Sequence, residues 1–200
     1  MITAETIVDV RNEPRHRVCL ENDLVRAYWI DLPGGEATLF HRHDHPYAGI
    51  CLGNSLIRNE VVGDCVKELH MQSGDVMYTP GQMTHRIENV GDSAFRNITM
   101  EVLHTAGHTS SSLKRLERER RKMEMAIDER ALRVANLELT AGERCDLVGD
   151  HLVIWLQGEA EASTFAESKS LRRAGDFAWC CGVATIESAD GGKVSIVEVM

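Results

Sequence analysis

No stretch of this sequence strings together the ~18 apolar residues that a membrane-spanning helix requires. Its apolar share of 43% and charged share of 26% are those of an ordinary globular chain. The opening residues, MITAETIVDVRNE, lack a basic stretch followed by an apolar core, so no secretion signal is read there and a cytoplasmic location is expected. None of the six cysteines (Cys19, Cys51, Cys65, Cys145, Cys180 and Cys181) forms a CxxC pair, which removes the common thiol signature of metal or redox chemistry. Free, mostly buried thiols are expected, and the neighbours Cys180 and Cys181 would face opposite ways in a strand. An excess of positive charge is missing too. Lys and Arg number 22 against 31 Asp and Glu, a net charge of −9 that argues against nucleic-acid partners, since phosphate neutralisation needs basic surplus.

What is present is a repeat. Arg26–Leu32 followed by Pro33-Gly34-Gly35-Glu36 reads like Arg133–Leu139 followed by Thr140-Ala141-Gly142-Glu143. Ile50–Asn54 resembles Ile154–Glu159, Gly74–Tyr78 matches Gly175–Trp179, and Arg96–Leu103 matches Lys193–Met200. Short strand-like runs with turn signals, occurring twice in one order, predict two β-barrels or sandwiches from one duplicated plan. Two hundred residues suffice for two domains of about 100 each.

Between the copies, Thr109–Arg130 opens with Ser and Thr, as helix N-termini do, and places Leu113, Leu116, Met123 and Ile127 at helical spacing. A linking helix with one apolar stripe is expected there. Its basic residues are interleaved with Glu117 and Glu119, a solvated face with intrahelical ion pairs rather than an anion site. The expected organisation is a first domain over 1–106, a linker helix over 107–131 and a second domain over 132–200.

Four features converge in the first copy. His41 and His43 lie two apart, so in a strand their imidazoles share a face. Gly35 precedes His41 with five residues between. Gly74 is followed by five residues and then Pro80-Gly81, with His85 five after Pro80 and Asn89 four after His85. These spacings resemble the two motifs of the cupin superfamily, Gly, five residues, His-x-His, and Gly, five residues, Pro-x-Gly, two residues, His, three residues, Asn. One glycine is displaced, since Gln82 stands at the second Gly of the second motif. The resemblance covers residues 20–103 directly and 131–200 through the repeat. It implies a mainly β fold of two cupin-type barrels (double-stranded β-helix, or jelly roll) joined by one α-helix, a bicupin, and a single metal site held by His41, His43 and His85.

The acidic ligand usual in the first motif is absent, with Tyr47 or Ala48 in its place. Three neutral imidazoles leave a divalent ion its full charge, which favours a small, anionic, chelating substrate such as an enolate, thiolate or carboxylate. Imidazole suits several ions: Fe(II) is favoured by the resemblance to three-histidine cupin dioxygenases, with Zn, Ni, Mn or Cu also compatible. His45 shares strand parity with the pair, but Pro46 turns the chain, leaving it a fourth ligand or a nearby base. Tyr47 either hydrogen-bonds substrate or simply packs. Arg58 and Met77 reach the pocket by strand parity alone. His16, His70, His104, His108 and His151 have no motif support and read as surface or structural.

The second copy lacks the ligands. Six residues after Gly142 comes Val148, and the positions equivalent to Pro80 and His85 hold Cys181 and Ile186. The leading expectation is a metal-dependent enzyme of dioxygenase type. A non-redox isomerase or lyase and a non-catalytic ligand-binding cupin remain alternatives. No helix-turn-helix precedes residue 20, which weakens a regulator reading. Association of cupins through sheet edges makes a homodimer the expected assembly.

Overall fold

The computed structural model describes residues 7–107, 111–164 and 167–200. The chain forms two compact units, Met1–His104 and Thr105–Met200. Both are mainly β, as the alternation of inward and outward residues along the sequence dictates. No helix among the described residues is long and apolar enough to cross a membrane.

The first unit contains β1 (Val8–Asp9), β2 (Arg17–Glu21), β3 (Val25–Leu32), β4 (His41–His43) and β5 (Tyr47–Cys51), then β6 (Ser55–Val61), β7 (Lys67–Met71), β8 (Val76–Thr79), β9 (Met83–Asn89) and β10 (Phe95–Val102). They build two five-stranded sheets, ordered β1-β4-β9-β6-β7 and β2-β3-β10-β5-β8. Tyr28, Ile30 and Leu32 of β3 pack with Cys51, Ile57, Ile87 and Phe95 in one apolar cluster. Asn89, at the end of the second motif, is a clamp. Its side-chain amide donates to the Leu32 and Ser93 carbonyls at 2.8 Å each, and its Oδ1 accepts from Gly91 N at 3.1 Å.

The second unit begins with α1 (Ser112–Arg118) and continues with β11 (Met123–Asp128), β12 (Leu132–Leu139), β13 (Arg144–Val148), β14 (Asp150–Thr164), β15 (Ser168–Leu171), β16 (Phe177–Cys180) and β17 (Val183–Val199). Its strands follow the order β11-β12-β17-β14-β15, with β13 on β17 and β16 on β14. Every pairing has a counterpart in the first unit once β14 is read as β5 plus β6, and β17 as β9 plus β10. The turn before β8 repeats atom for atom. Cys51 N bonds Asp75 O and Gly74 N bonds Cys51 O, both at 2.9 Å, while Trp155 N bonds Asp176 O at 2.8 Å and Gly175 N bonds Trp155 O at 2.9 Å.

The expected linker helix is shorter than its apolar spacing implied. It ends at Arg118, and Met123 and Ile127 lie in a strand. The run Met123-Glu124-Met125-Ala126-Ile127-Asp128 alternates half-buried and exposed, a period of two, and it covers the edge of β12 as β2 covers β3. Thr109, Ser110 and His108 lie outside the described residues. Cys180, the last residue of β16, is buried and Cys181, just beyond it, is exposed, and all six cysteines are free thiols.

Candidate metal centre

Strand β4 puts His41 and His43 on its inner face and Arg42 outside, where Arg42 pairs with Asp44. Strand β9 runs antiparallel beside it, with His85 directly opposite His41. The His41 ring centroid lies 4.5 Å from that of His85 and 5.1 Å from that of His43. All three residues are buried.

Each ring is anchored through Nδ1 by an acceptor. His41 Nδ1 lies 2.9 Å from the Leu39 carbonyl, His43 Nδ1 2.9 Å from Glu101 Oε1, and His85 Nδ1 3.0 Å from Asn59 Oδ1. A carbonyl, a carboxylate and an amide oxygen have only lone pairs to offer, so each Nδ1 carries the proton. Each Nε2 is then an unprotonated lone pair. His41 Nε2 and His85 Nε2 are buried with no hydrogen-bond partner. Lone pairs left bare in a low-dielectric interior are costly unless a cation meets them. The residues therefore fit a bound metal ion.

Burial, then the neighbouring His16, pushes the His41 and His43 imidazoles down to about 3. Burial also holds His85 well below the ordinary imidazole range. The rings are neutral at pH 7, the state that ligation requires. Behind His43, Glu101 is buried and takes a bond from Tyr28 Oη at 3.1 Å, with Arg26 Nη1 3.7 Å away. Burial raises its carboxyl, and the Tyr28 hydroxyl opposes that rise most strongly.

Tyr47 is buried with its ring 4.1 Å from that of His43, and its hydroxyl meets Met83 Sδ at 3.8 Å. It lines the same cavity, and burial raises its phenol further above the ordinary range. Ala48, its neighbour on β5, is not among the residues lining the cavity. His45 is not on a strand. It lies half-buried in the bend between β4 and β5, and is not among the residues lining the cavity. Arg58 and Met77 are not there either. Arg58 points outward to Glu68 and Glu88, and Met77 packs on the apolar cluster.

Sequence reasoning missed His16. It is no surface residue: its side chain is only 6% exposed, and its ring centroid lies 4.5 Å from that of His41 and 5.9 Å from that of His43. The donor nitrogens of His16, His41 and His43 lie within 4.8 Å of one another. The one local signal is Glu13, three residues earlier, whose Oε2 lies 2.8 Å from His16 Nδ1. The remaining histidines behave as expected where they are described: His70 and His104 are exposed, and His151 is buried beside Glu198.

The cavity is narrow, about 20 Å³, room for one ion or one water. Besides the four imidazoles and Tyr47 it is walled by Ile30, Leu32, Ile87 and Phe95, with Thr99 and Asn97 as polar points.

Two duplicated β units, with a histidine cluster inside the first at cupin motif spacing, define the cupin fold. Known structures agree. A salicylate 1,2-dioxygenase from Pseudaminobacter salicylatoxidans superposes with a TM-score of 0.66 at 16% identity, over 92% of this chain and 76% of that one. The same enzyme as an adduct with gentisate gives 0.64 at 15%, over 88% and 68%. A cupin 2 conserved barrel domain protein from Leptotrichia buccalis gives 0.60 at 14%, over 90% and 86%. No family model and no curated protein matches the sequence.

Proposed function

We propose that the chain is a bicupin enzyme of dioxygenase type, acting on a small anionic substrate that chelates a divalent metal ion in the first unit. The observation that carries this reading is the set of buried imidazoles whose Nδ1 atoms are all tied to acceptors, leaving their Nε2 lone pairs inside one cavity. When bound, the ion, Fe(II) by preference, supplies Lewis acidity and open coordination positions where an anion and O₂ meet. The fold's likeness to a salicylate dioxygenase supports the choice of chemistry.

The chain's own residues hold and shape. His41, His43 and His85 fix the ion, and Glu101 holds the His43 ring in its ligating tautomer. Tyr47 keeps its proton, so its hydroxyl is a hydrogen-bond donor at the cavity wall. Ile30, Leu32, Ile87 and Phe95 exclude water around the reacting anion, which strengthens each polar contact there. His45 stands off the cavity wall. A space of 20 Å³ is far below the ~150 Å³ of a cavity that takes up benzene. It suits the chelating end of a small anion, not a buried aromatic ring.

Metal analysis of protein purified without chelators, followed by O₂ uptake with small thiolates, diketone enolates and 2-hydroxy carboxylates, tests the reading. Iron with substrate-dependent O₂ uptake is expected. Tightly held Zn with turnover indifferent to O₂ would replace it with a non-redox isomerase or lyase. Full metal content in both His41→Ala and His85→Ala would remove the site itself.

A further inference from the structure

We infer that His16 supplies a fourth imidazole nitrogen to this centre, delivered by the segment that precedes the first barrel strand pair and oriented by Glu13. The inference rests on the metal-site reading above and extends its ligand set beyond the two sequence motifs.

Three observations carry it. The first is position. Strand β1 pairs in parallel with β4, Val8 beside His41 and Asp9 beside Arg42, so the lead-in is fastened to the strand that bears two ligands. A 3-10 turn at Val10–Asn12 follows, with Val10 buried in the apolar cluster, and Glu13 N and His16 N bond back to the carbonyls of Val10 and Glu13 at 3.2 and 3.0 Å. His16 is thus held by a built turn and not by a loose end.

The second is orientation. Glu13 is buried, and its carboxylate is fully engaged. Oε1 accepts from Leu39 N at 3.1 Å, and Oε2 accepts from Arg15 N at 2.7 Å and lies 2.8 Å from His16 Nδ1. Nδ1 of His16 therefore donates to Glu13, as Nδ1 donates in the three motif histidines, and Nε2 is the nitrogen left for an ion. Leu39 links the two anchors: its N–H binds Glu13, and its carbonyl binds His41 Nδ1.

The third is the donor set. The carboxylate usual in the first motif is replaced by Tyr47, whose hydroxyl is turned to Met83 and whose ring covers His43. A donor nitrogen of His16 lies within 4.8 Å of one from His41 and one from His43. Two bonds of about 2.1 Å to one ion span at most about 4.2 Å, so a small inward turn of the rings brings them onto one ion. The fourth donor would then be neutral, so the ion keeps its whole charge for an incoming anion.

Cu(II) and Co(II) titrated into metal-free protein test this, with Cu(II) electron paramagnetic resonance to count nitrogens and Co(II) absorption with chelator competition to give affinity. Wild type is expected to show four imidazole nitrogens. His16→Ala is expected to show three and to bind Co(II) at least tenfold more weakly, with free imidazole restoring the fourth. Glu13→Gln should keep four nitrogens and lose about 10–100-fold in affinity. Three nitrogens in wild type, or a His16→Ala protein with unchanged count and affinity, would overturn the inference while leaving the metal site intact. Wild type that binds neither ion would overturn the metal reading. The wild-type count stands on its own if His16→Ala fails to fold.

Discussion

The two units share a frame and differ in what they put inside it. In the first, Arg26 Nη1 lies 3.7 Å from buried Glu101, which holds His43. In the second, Arg133 Nη1 lies 3.7 Å from buried Glu198, which holds His151. Arg26 and Arg133, and Glu101 and Glu198, occupy equivalent repeat positions, opposite each other in register on β3 and β10, and on β12 and β17. Yet the first interior collects imidazoles, whereas the second is filled by Trp155, Leu137, Leu139, Cys145 and Ile186. The lead-in segments differ in the same sense. The turn before β2 lies against β4 and brings Glu13 and His16, while α1 lies against β13 and brings Leu113 and Leu116 into the apolar core. The duplicated Arg–Glu pair therefore belongs to the frame. The imidazoles enter through β4, β9 and the lead-in.

The strongest way to break that division is Trp155→Ala. Trp155 is fully buried and its indole N–H donates to the Gly158 carbonyl. Removing it should cost about 3–5 kcal/mol. Chemical denaturation should report that loss while metal stoichiometry at the first unit stays at wild-type level. Metal loss in a folded Trp155→Ala protein would show that the second interior serves the site.

Glu101→Gln and Glu198→Gln compare the shared pair directly. The first should weaken metal binding about 10–100-fold, because the His43 ring loses its charged anchor. The second should leave metal affinity untouched and lower stability. Breaking a fully buried pair costs about 3–5 kcal/mol, and the loss here should be smaller because the Arg133 side chain keeps 19% exposure. Equal metal losses in the two variants would deny the assignment of ligand chemistry to one unit.

Acid should separate the units in metal-free protein. His41 and His43 drop from an ordinary 6.5 to about 3 on folding, chiefly through burial, so the folded form binds fewer protons than the unfolded one. Their contribution is complete above pH 6.5 and is lost progressively as pH falls toward 3. At one pH unit below 6.5 the loss is about 1.4 kcal/mol for each ring. Hydrogen exchange should show β4 and β9 opening before β14 as pH falls through this window. Simultaneous opening would mean that the buried imidazoles are not the acid-sensitive element.

Much of this was legible in the sequence because it is periodic or spaced. The repeat, His41, His43 and His85 follow from fixed intervals along strands. His16 was not legible, because its approach to His41 depends on the parallel pairing of Val8 with His41, a contact between segments that share no pattern. Met123 and Ile127 satisfied a helical spacing and a strand alternation at once. The edge of β12, which needs a partner as β3 does, decided for the strand. Parity alone aimed Arg58 at the pocket, but partners on both neighbouring strands, Glu68 and Glu88, draw it outward.

The mildest test concerns one residue of the second motif. Gln82 precedes β9 with φ of 56°, and Gly182 precedes β17 with φ of 73°, so both units turn through the left-handed region at the same point. Only glycine adopts that conformation without a side-chain penalty, about 1–2 kcal/mol for an ordinary residue. Gln82→Gly relieves this strain but frees the unfolded chain, which offsets about 0.4–1 kcal/mol. A net gain of about 0.5 kcal/mol is expected, a rise of about 1–2 °C in Tm for a protein of this size. Metal affinity should not move, because His85 is set by its pairing with His41 and by Asn59 rather than by the turn. The neighbouring position behaves differently: a Cβ at Gly81 would lie 2.8 Å from the His45 carbonyl carbon, so Gly81→Ala should destabilise the β4–β5 bend. A Gln82→Gly protein that melts lower, or binds metal more weakly, would mean that the glutamine side chain steadies the turn more than its backbone strains it.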